Sequence, residues 1–250
     1  MTATAAVLLI GDEILSGRTK DKNLGFIADW LTAMGIDLKE ARVVADDEAD
    51  IVAAVNALRA RWDYVFTTGG IGPTHDDITA DAIAAAFGVP IDHDARAVAI
   101  LTEYYAGEPG KLNEARLRMA RLPAGAELID NPVSGAPGFQ VGNVFVMAGV
   151  PRIMQAMLES LAGRLERGAV MESRTVVAWI GEGDLAKGLK DVQARFPDVV
   201  MGSYPFVDGV RYGSNLVLRG RDVGRLEAAV GEVEAMVPGV KATGVVKVWD

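Results

Sequence analysis

One stretch carries most of the residues that could do chemistry: Thr67-Thr68-Gly69-Gly70-Ile71-Gly72-Pro73-Thr74-His75-Asp76-Asp77-Ile78-Thr79. Gly69, Gly70 and Gly72 lack the Cβ atoms that would keep backbone N–H groups away from an anion, and they follow directly on a strand-like run. Thr68 and Thr74 add hydroxyl donors. A helix starting after the stretch would add the positive end of its dipole. Asp76 and Asp77 would repel a bare phosphate, so the combination points to a divalent cation between protein and ligand. The alternative is a tight turn in which Asp76 or Asp77 caps the next helix.

Two further acidic turns, Gly11-Asp12-Glu13 and Asp46-Asp47-Glu48, each follow a strand-like run. In a parallel sheet the carboxyl ends of the strands share one edge, where ligands bind. Asp12, Asp47 and the Asp76–Asp77 pair could meet there, and their mutual repulsion would then call for a cation. Each turn taken alone reads more readily as a plain cap or turn. The loop Asn131 to Gly138, with Ser134 and Gly135, suits close ligand approach or a plain rigid connection. Gly149-Val150-Pro151-Arg152 opens a helix whose free N–H groups could serve an anion. Arg18, Lys20 and Lys22 could meet phosphates or form a solvated surface run.

These loops need strands and helices to position them. Ala5 to Ile10 is a continuous apolar run of strand length, as in a strand covered on both faces. Leu24, Ile27, Leu31 and Met34 recur at helical spacing up to Gly35. Ile36 to Val44 reads as a strand. Asp46 or Asp47 can cap a helix with Ile51, Val55 and Leu58 on its buried face. Tyr64 to Thr67 is a third strand, and a helix runs from Thr79 to Gly88. Strand–helix alternation predicts a largely parallel sheet with helices on both faces. Residues 92–120 read as helical, broken at 107–110. Val141 to Met147 reads as a hairpin turning at Gly142-Asn143, and Pro151 starts a helix reaching about Arg167. Beyond a boundary near residue 169 the pattern becomes β-α-β-β-α, which predicts a small α+β domain over 170–250 beside a larger domain over 1–169.

Composition narrows the classes. The 250 residues are 50% hydrophobic with a net charge of −9, which is globular rather than disordered. The charge divides as −8 over residues 1–169 and −1 over 170–250. The acidity argues against a phosphate-tracking nucleic-acid binder. There is no Cys, and His75 and His93 are the only histidines, which excludes thiolate catalysis, disulfides, iron–sulfur clusters and a multi-His metal centre. The first residues carry neither a basic export region nor a spanning run, so a cytoplasmic protein without membrane partners is expected.

Ile10-Gly11-Asp12-Glu13-Ile14-Leu15-Ser16-Gly17 with Asn23, then Asp46-Asp47-Glu48, Thr67 to Thr79, Ser134-Gly135-Ala136-Pro137-Gly138-Phe139 and Gly149-Val150-Pro151 occur in order over about residues 5–160. Together they resemble the molybdopterin-binding domain of the CinA (competence/damage-inducible) family. Its wider superfamily includes molybdopterin adenylyltransferases, gephyrin and the N-terminal part of some eukaryotic FAD synthases. The resemblance implies an α/β three-layer fold with a mostly parallel sheet. Residues 170–250, through Gly181-Glu182-Gly183-Asp184-Leu185-Ala186 and Gly202-Ser203-Tyr204-Pro205, are similar to the KH-type domain that follows in CinA proteins. No GxxG loop lies between a helix pair there, so RNA binding is not implied. The nicotinamide-nucleotide amidase domain of many CinA proteins is not expected within these residues.

The resemblance further implies pyrophosphatase activity on ADP-ribose-like or FAD-like nucleotides. It implies Mg²⁺ or another divalent cation such as Co²⁺ or Mn²⁺, sometimes favoured by K⁺. Carried over by position, Asp47 and Asp77 are the catalytic and metal-binding residues, with Asp76 beside them on the metal. Gly11, Asp12, Glu13, Thr68, Gly69, Gly70, Gly72, Thr74, Ser134 and Gly135 would contact the ligand. Molybdopterin binding or adenylyl transfer, and a regulatory nucleotide-binding module without turnover, are the alternatives. The implied partners are a small nucleotide or pterin phosphate and further copies of the chain, as dimer or trimer.

Overall fold

The computed structural model describes residues 2–108 and 110–237. The chain divides into two compact units, residues 1–168 and 169–250.

In the first unit the elements run β1 (Thr4–Ile10), the one-turn α1 (Asp12–Leu15), α2 (Asn23–Ala33), β2 (Asp37–Val44), α3 (Glu48–Arg59), β3 (Tyr64–Thr68) and α4 (Thr79–Phe87). They continue as β4 (Ile91–His93), α5 (Ala95–Tyr104), α6 (Glu114–Leu117), β5 (Arg121–Pro123), β6 (Glu127–Ile129), β7 (Gly138–Val141), β8 (Val144–Met147) and α7 (Pro151–Ser160). The main sheet has the order β2-β1-β3-β8-β7-β6. β1 pairs in parallel with β2 and β3, and β3 in parallel with β8. β8, β7 and β6 are joined antiparallel, so the sheet is mixed but mostly parallel.

The apolar run of β1 explains the layering. Ala6, Leu8 and Ile10 face one core with α3, α4 and α5 through Ile51, Val55, Ile83 and Leu101. Ala5, Val7 and Leu9 face the other, with α2 and α7 through Ile27, Leu31, Met154 and Leu158. Both faces of the strand are thus covered, because strand side chains alternate by two. The result is an α/β three-layer unit. Order β2-β1-β3 means the chain leaves β1 in both directions, so the carboxyl ends of β1 and β3 flank a topological switch point.

Two readings are corrected. Residues 92–120 are helical on both sides of a break, as α5 and then as α6 with a closing turn up to Ala120, but the helix begins later than expected: Ile91–His93 is a strand paired antiparallel with Arg121–Pro123, and Asp94 caps α5. A strand of three residues is too short to show a periodicity for sequence reasoning to catch. The helix from Pro151 ends at Ser160, with turns rather than helix up to Arg167.

The second unit holds β9 (Glu172–Ala178), α8 (Glu182–Arg195), β10 (Val200–Asp208), β11 (Arg211–Gly220) and α9 (Val223–Met236). Its antiparallel sheet has the order β10-β11-β9 and packs Val176, Leu216 and Leu218 against Leu185, Val192, Leu226 and Val230 of the two helices. This is a small α+β arrangement with its own core. Among the described residues no helix is long and apolar enough to cross a membrane.

Candidate functional site

The ends of three adjacent strands meet at Gly69. Its φ of +107° is open to glycine, and a Cβ there would lie 2.1 Å from the carbonyl oxygen of Ile10, at the end of β1. Its N–H donates to the carbonyl of Met147, at the end of β8 (3.1 Å). Buried Asn23, at the start of α2, closes the junction: its Nδ2 donates to the Gly149 carbonyl (2.8 Å) and to Thr68 Oγ1 (3.4 Å). The glycine loop is therefore bent where it is because backbone passes within contact distance on two sides.

Beyond Gly69 the loop is open. The N–H groups of Gly70, Ile71 and Gly72 donate to nothing among the described residues. The carbonyls are used instead: Gly70 accepts from Thr79 N–H (3.0 Å) and Gly69 from Thr79 Oγ1 (3.0 Å), which anchors the loop to α4. Asp77 Oδ2 accepts from the amide (2.8 Å) and the hydroxyl of Thr74. Asp77 thus closes the turn ahead of α4 rather than capping the helix.

These groups border a cleft of about 600 Å³, within the range of small-ligand sites. Of the residues singled out in the sequence, Glu13, Gly69, Gly70, Gly72, Asp77 and Ser134 line it, as do Asn131 and the helix-opening run Gly149-Val150-Pro151. Ser134 Oγ accepts from Asn131 Nδ2 (2.7 Å), and Asn131 is buried, so this side of the cleft is held firmly. Gly11, Asp12, Thr68, Thr74, Asp76 and Gly135 do not line the cleft. Thr68 is buried at the strand end, where its hydroxyl accepts from Asn23. Gly135 backs onto Tyr104, against whose ring a Cβ would clash.

The acidic turns do come together, but through Asp46 instead of Asp47. Asp12 N–H donates to Asp46 Oδ2 (2.9 Å). Burial pushes the Asp46 carboxyl above its ordinary range, and the charges of Glu13, Asp12 and Asp76 push it further, against the stabilising Asp12 amide. Asp47 is engaged elsewhere: it is the N-cap of α3 and accepts from Asp50 N–H (3.0 Å). Among the described residues no three His, Asp or Glu are grouped so as to hold an ion. Asp47, Asp76 and Asp77 therefore form no ready-made metal cage.

Sequence reasoning missed part of the wall. Tyr105, Arg116, Met119, Ile153 and Met157 also line the cleft. Met157 is fully buried beneath the cleft. Tyr105 and Arg116 sit in and beside an irregular segment between α5 and α6, and only tertiary packing brings them here.

The comparisons with known proteins follow the same division. Residues 6–167 match the family described as "Probable molybdopterin binding domain", and residues 170–245 match "FAD synthase, middle domain". The chain is 36% identical over 245 residues to "Protein TK1472" of Thermococcus kodakarensis, covering 92% of this chain and 96% of that protein. It is 42% identical over 172 residues to a "CinA-like protein" of Citrifermentans bemidjiense, covering 65% of this chain and 42% of that one. Among solved structures, the protein CinA, of unknown function, from Thermoplasma acidophilum superposes with a TM-score of 0.61 at 35% identity, over 65% of this chain and 98% of the other.

Proposed function

The chain belongs to the molybdopterin-binding-domain family, and from that premise we propose that its cleft binds a nucleotide diphosphate of the ADP-ribose or FAD kind and hydrolyses the diphosphate link. The observation that carries the reading is the set of three unpartnered amides at Gly70, Ile71 and Gly72, beside a cleft large enough for a nucleotide. Such a nest of N–H groups is suited to phosphate oxygens. The likeness of residues 170–245 to the middle domain of FAD synthase supports a flavin or adenine dinucleotide as the ligand class.

In this reading the loop amides and Ser134 hold the diphosphate. Asp77, with Oδ2 fixed by Thr74, keeps Oδ1 free of protein hydrogen bonds to orient a water and take its proton. The water oxygen bonds to phosphorus, the bridging P–O bond breaks, and the bridging oxygen leaves with the second phosphate. Magnesium-type ions commonly take one or two carboxylates plus substrate phosphates, so a cation would enter with the ligand, and Glu13 and Asp77 are the carboxylates lining the cleft. When bound, it would neutralise charge on the phosphoryl oxygens.

The test is incubation with ADP-ribose, FAD and ATP, with Mg²⁺, Mn²⁺ or Co²⁺ and with chelator. Release of AMP from ADP-ribose or FAD is expected, and Asp77→Asn should slow it ~100-fold or more. The family match itself favours a second reading, molybdopterin binding or adenylyl transfer. Pyrophosphate release from ATP that requires added molybdopterin would replace the first reading with that one. Binding without any turnover would leave a regulatory module.

A further inference from the structure

A diphosphate entering this cleft meets two lining carboxylates, Glu13 and Asp77, and no grouped set of metal ligands among the described residues. The counter-charge that the protein itself brings to the cleft is a basic side chain. Arg116 lines the same cleft as Gly70, Ile71 and Gly72 and is half buried. Its guanidinium lies over the ring of Tyr105, 5.3 Å from the centroid, and Nη1 donates to the Lys111 carbonyl (2.5 Å). No carboxylate among the described residues pairs with it. The neighbouring arginines differ: Arg118 and Arg121 both pair with Asp81, at 3.5 and 2.7 Å.

A guanidinium has five N–H donors in a rigid fork, and the bond to Lys111 uses one. Contact with an aromatic ring restrains the plane of the fork, which lowers the entropy lost when it takes an anion. We propose that Arg116 is a phosphate-binding residue of this cleft, acting with the amides of Gly70, Ile71 and Gly72 to hold the diphosphate without a metal ion. The inference rests on the nucleotide-diphosphate reading given above. It separates binding from chemistry: the protein's own cation and amides suffice for the first, whatever ion the second requires.

The test is calorimetric titration of the full chain with inorganic pyrophosphate in the presence of chelator. The wild type should bind. Arg116→Ala should weaken binding ~10-fold or more, the scale of a charge-assisted hydrogen-bonded pair. Arg116→Met, which retains the aliphatic stem over Tyr105, should match Ala, and Arg116→Lys should recover only part of the loss because it lacks the fork. Unchanged melting temperatures would show that the variants fold. Binding that appears only on adding Mg²⁺, equal affinity in Arg116→Ala, or no pyrophosphate binding under either condition would overturn the proposal. If AMP release depends on Asp77 while pyrophosphate binding ignores Arg116, the diphosphate reading stands and this inference fails. If Arg116 governs pyrophosphate binding and no nucleotide is cleaved, the reverse holds.

Discussion

At the scale of single residues, Gly69 and Asp46 make opposite demands. Gly69→Ala would force a Cβ against the Ile10 carbonyl in a backbone conformation that side chains rarely adopt. A loss of at least ~2 kcal/mol is expected, read by chemical denaturation, together with loss of ligand binding. Asp46 has its folded pKa raised above the unfolded value. Such a carboxyl favours folding only while protonated, and that contribution disappears as pH rises through the folded pKa. Asp46→Asn retains an acceptor for the Asp12 amide and removes the repulsion, so its melting temperature should exceed the wild type's at pH 7. The gain should shrink as the solution is acidified below the carboxylate range. A variant less stable than wild type at pH 7 would contradict this account of the acidic junction.

At the scale of elements, caps and buried runs decide the outcome. Asp94 caps α5 by accepting from the amides of Arg96 (2.8 Å) and Ala97 (3.3 Å), and the Arg96 side chain draws its carboxyl down to about 2. Its contribution is present above the ordinary Asp range and fades as pH falls toward about 2. Asp94→Ala should cost ~1 kcal/mol at pH 7, with the two denaturation curves converging in acid. Leu8→Ala in fully buried β1 should cost ~2–5 kcal/mol. β1 was legible because it is apolar on both faces, and the glycine loop because no other residue type fits a bend between two backbones. β4 and β5 were not, since three residues are too few to show either period. Asp46 and Asp47 cannot be told apart in the sequence because adjacent carboxylates in one turn differ only in direction: Asp47 accepts from its own helix, Asp46 from the Asp12 amide just beyond β1.

At the scale of the whole molecule, charge and local chemistry pull apart. The first 169 residues carry most of the net −9, yet the proposed ligand is an anion. Long-range repulsion slows encounter and is screened over roughly 10 Å at 0.1 M salt. Association of a dinucleotide, followed by stopped flow, should therefore accelerate as salt rises from about 0.02 to 0.2 M. A rate that falls over this range would mean the short-range cation at Arg116 dominates the approach as well as the bound state. Tyr105 and Arg116 lay beyond sequence reasoning for a related cause: they belong to the cleft only through the folded whole.

Asn23 shows what such assembly entails. It spans 126 positions of chain to fasten Gly149, while its own Oδ1, enclosed, finds no donor. A rivet of this kind sets the mouth of the pocket at a fixed gauge before any guest arrives. Replacing Asn23 by Ala should loosen the mouth, so that guests are held more weakly even where every group that touches them is intact.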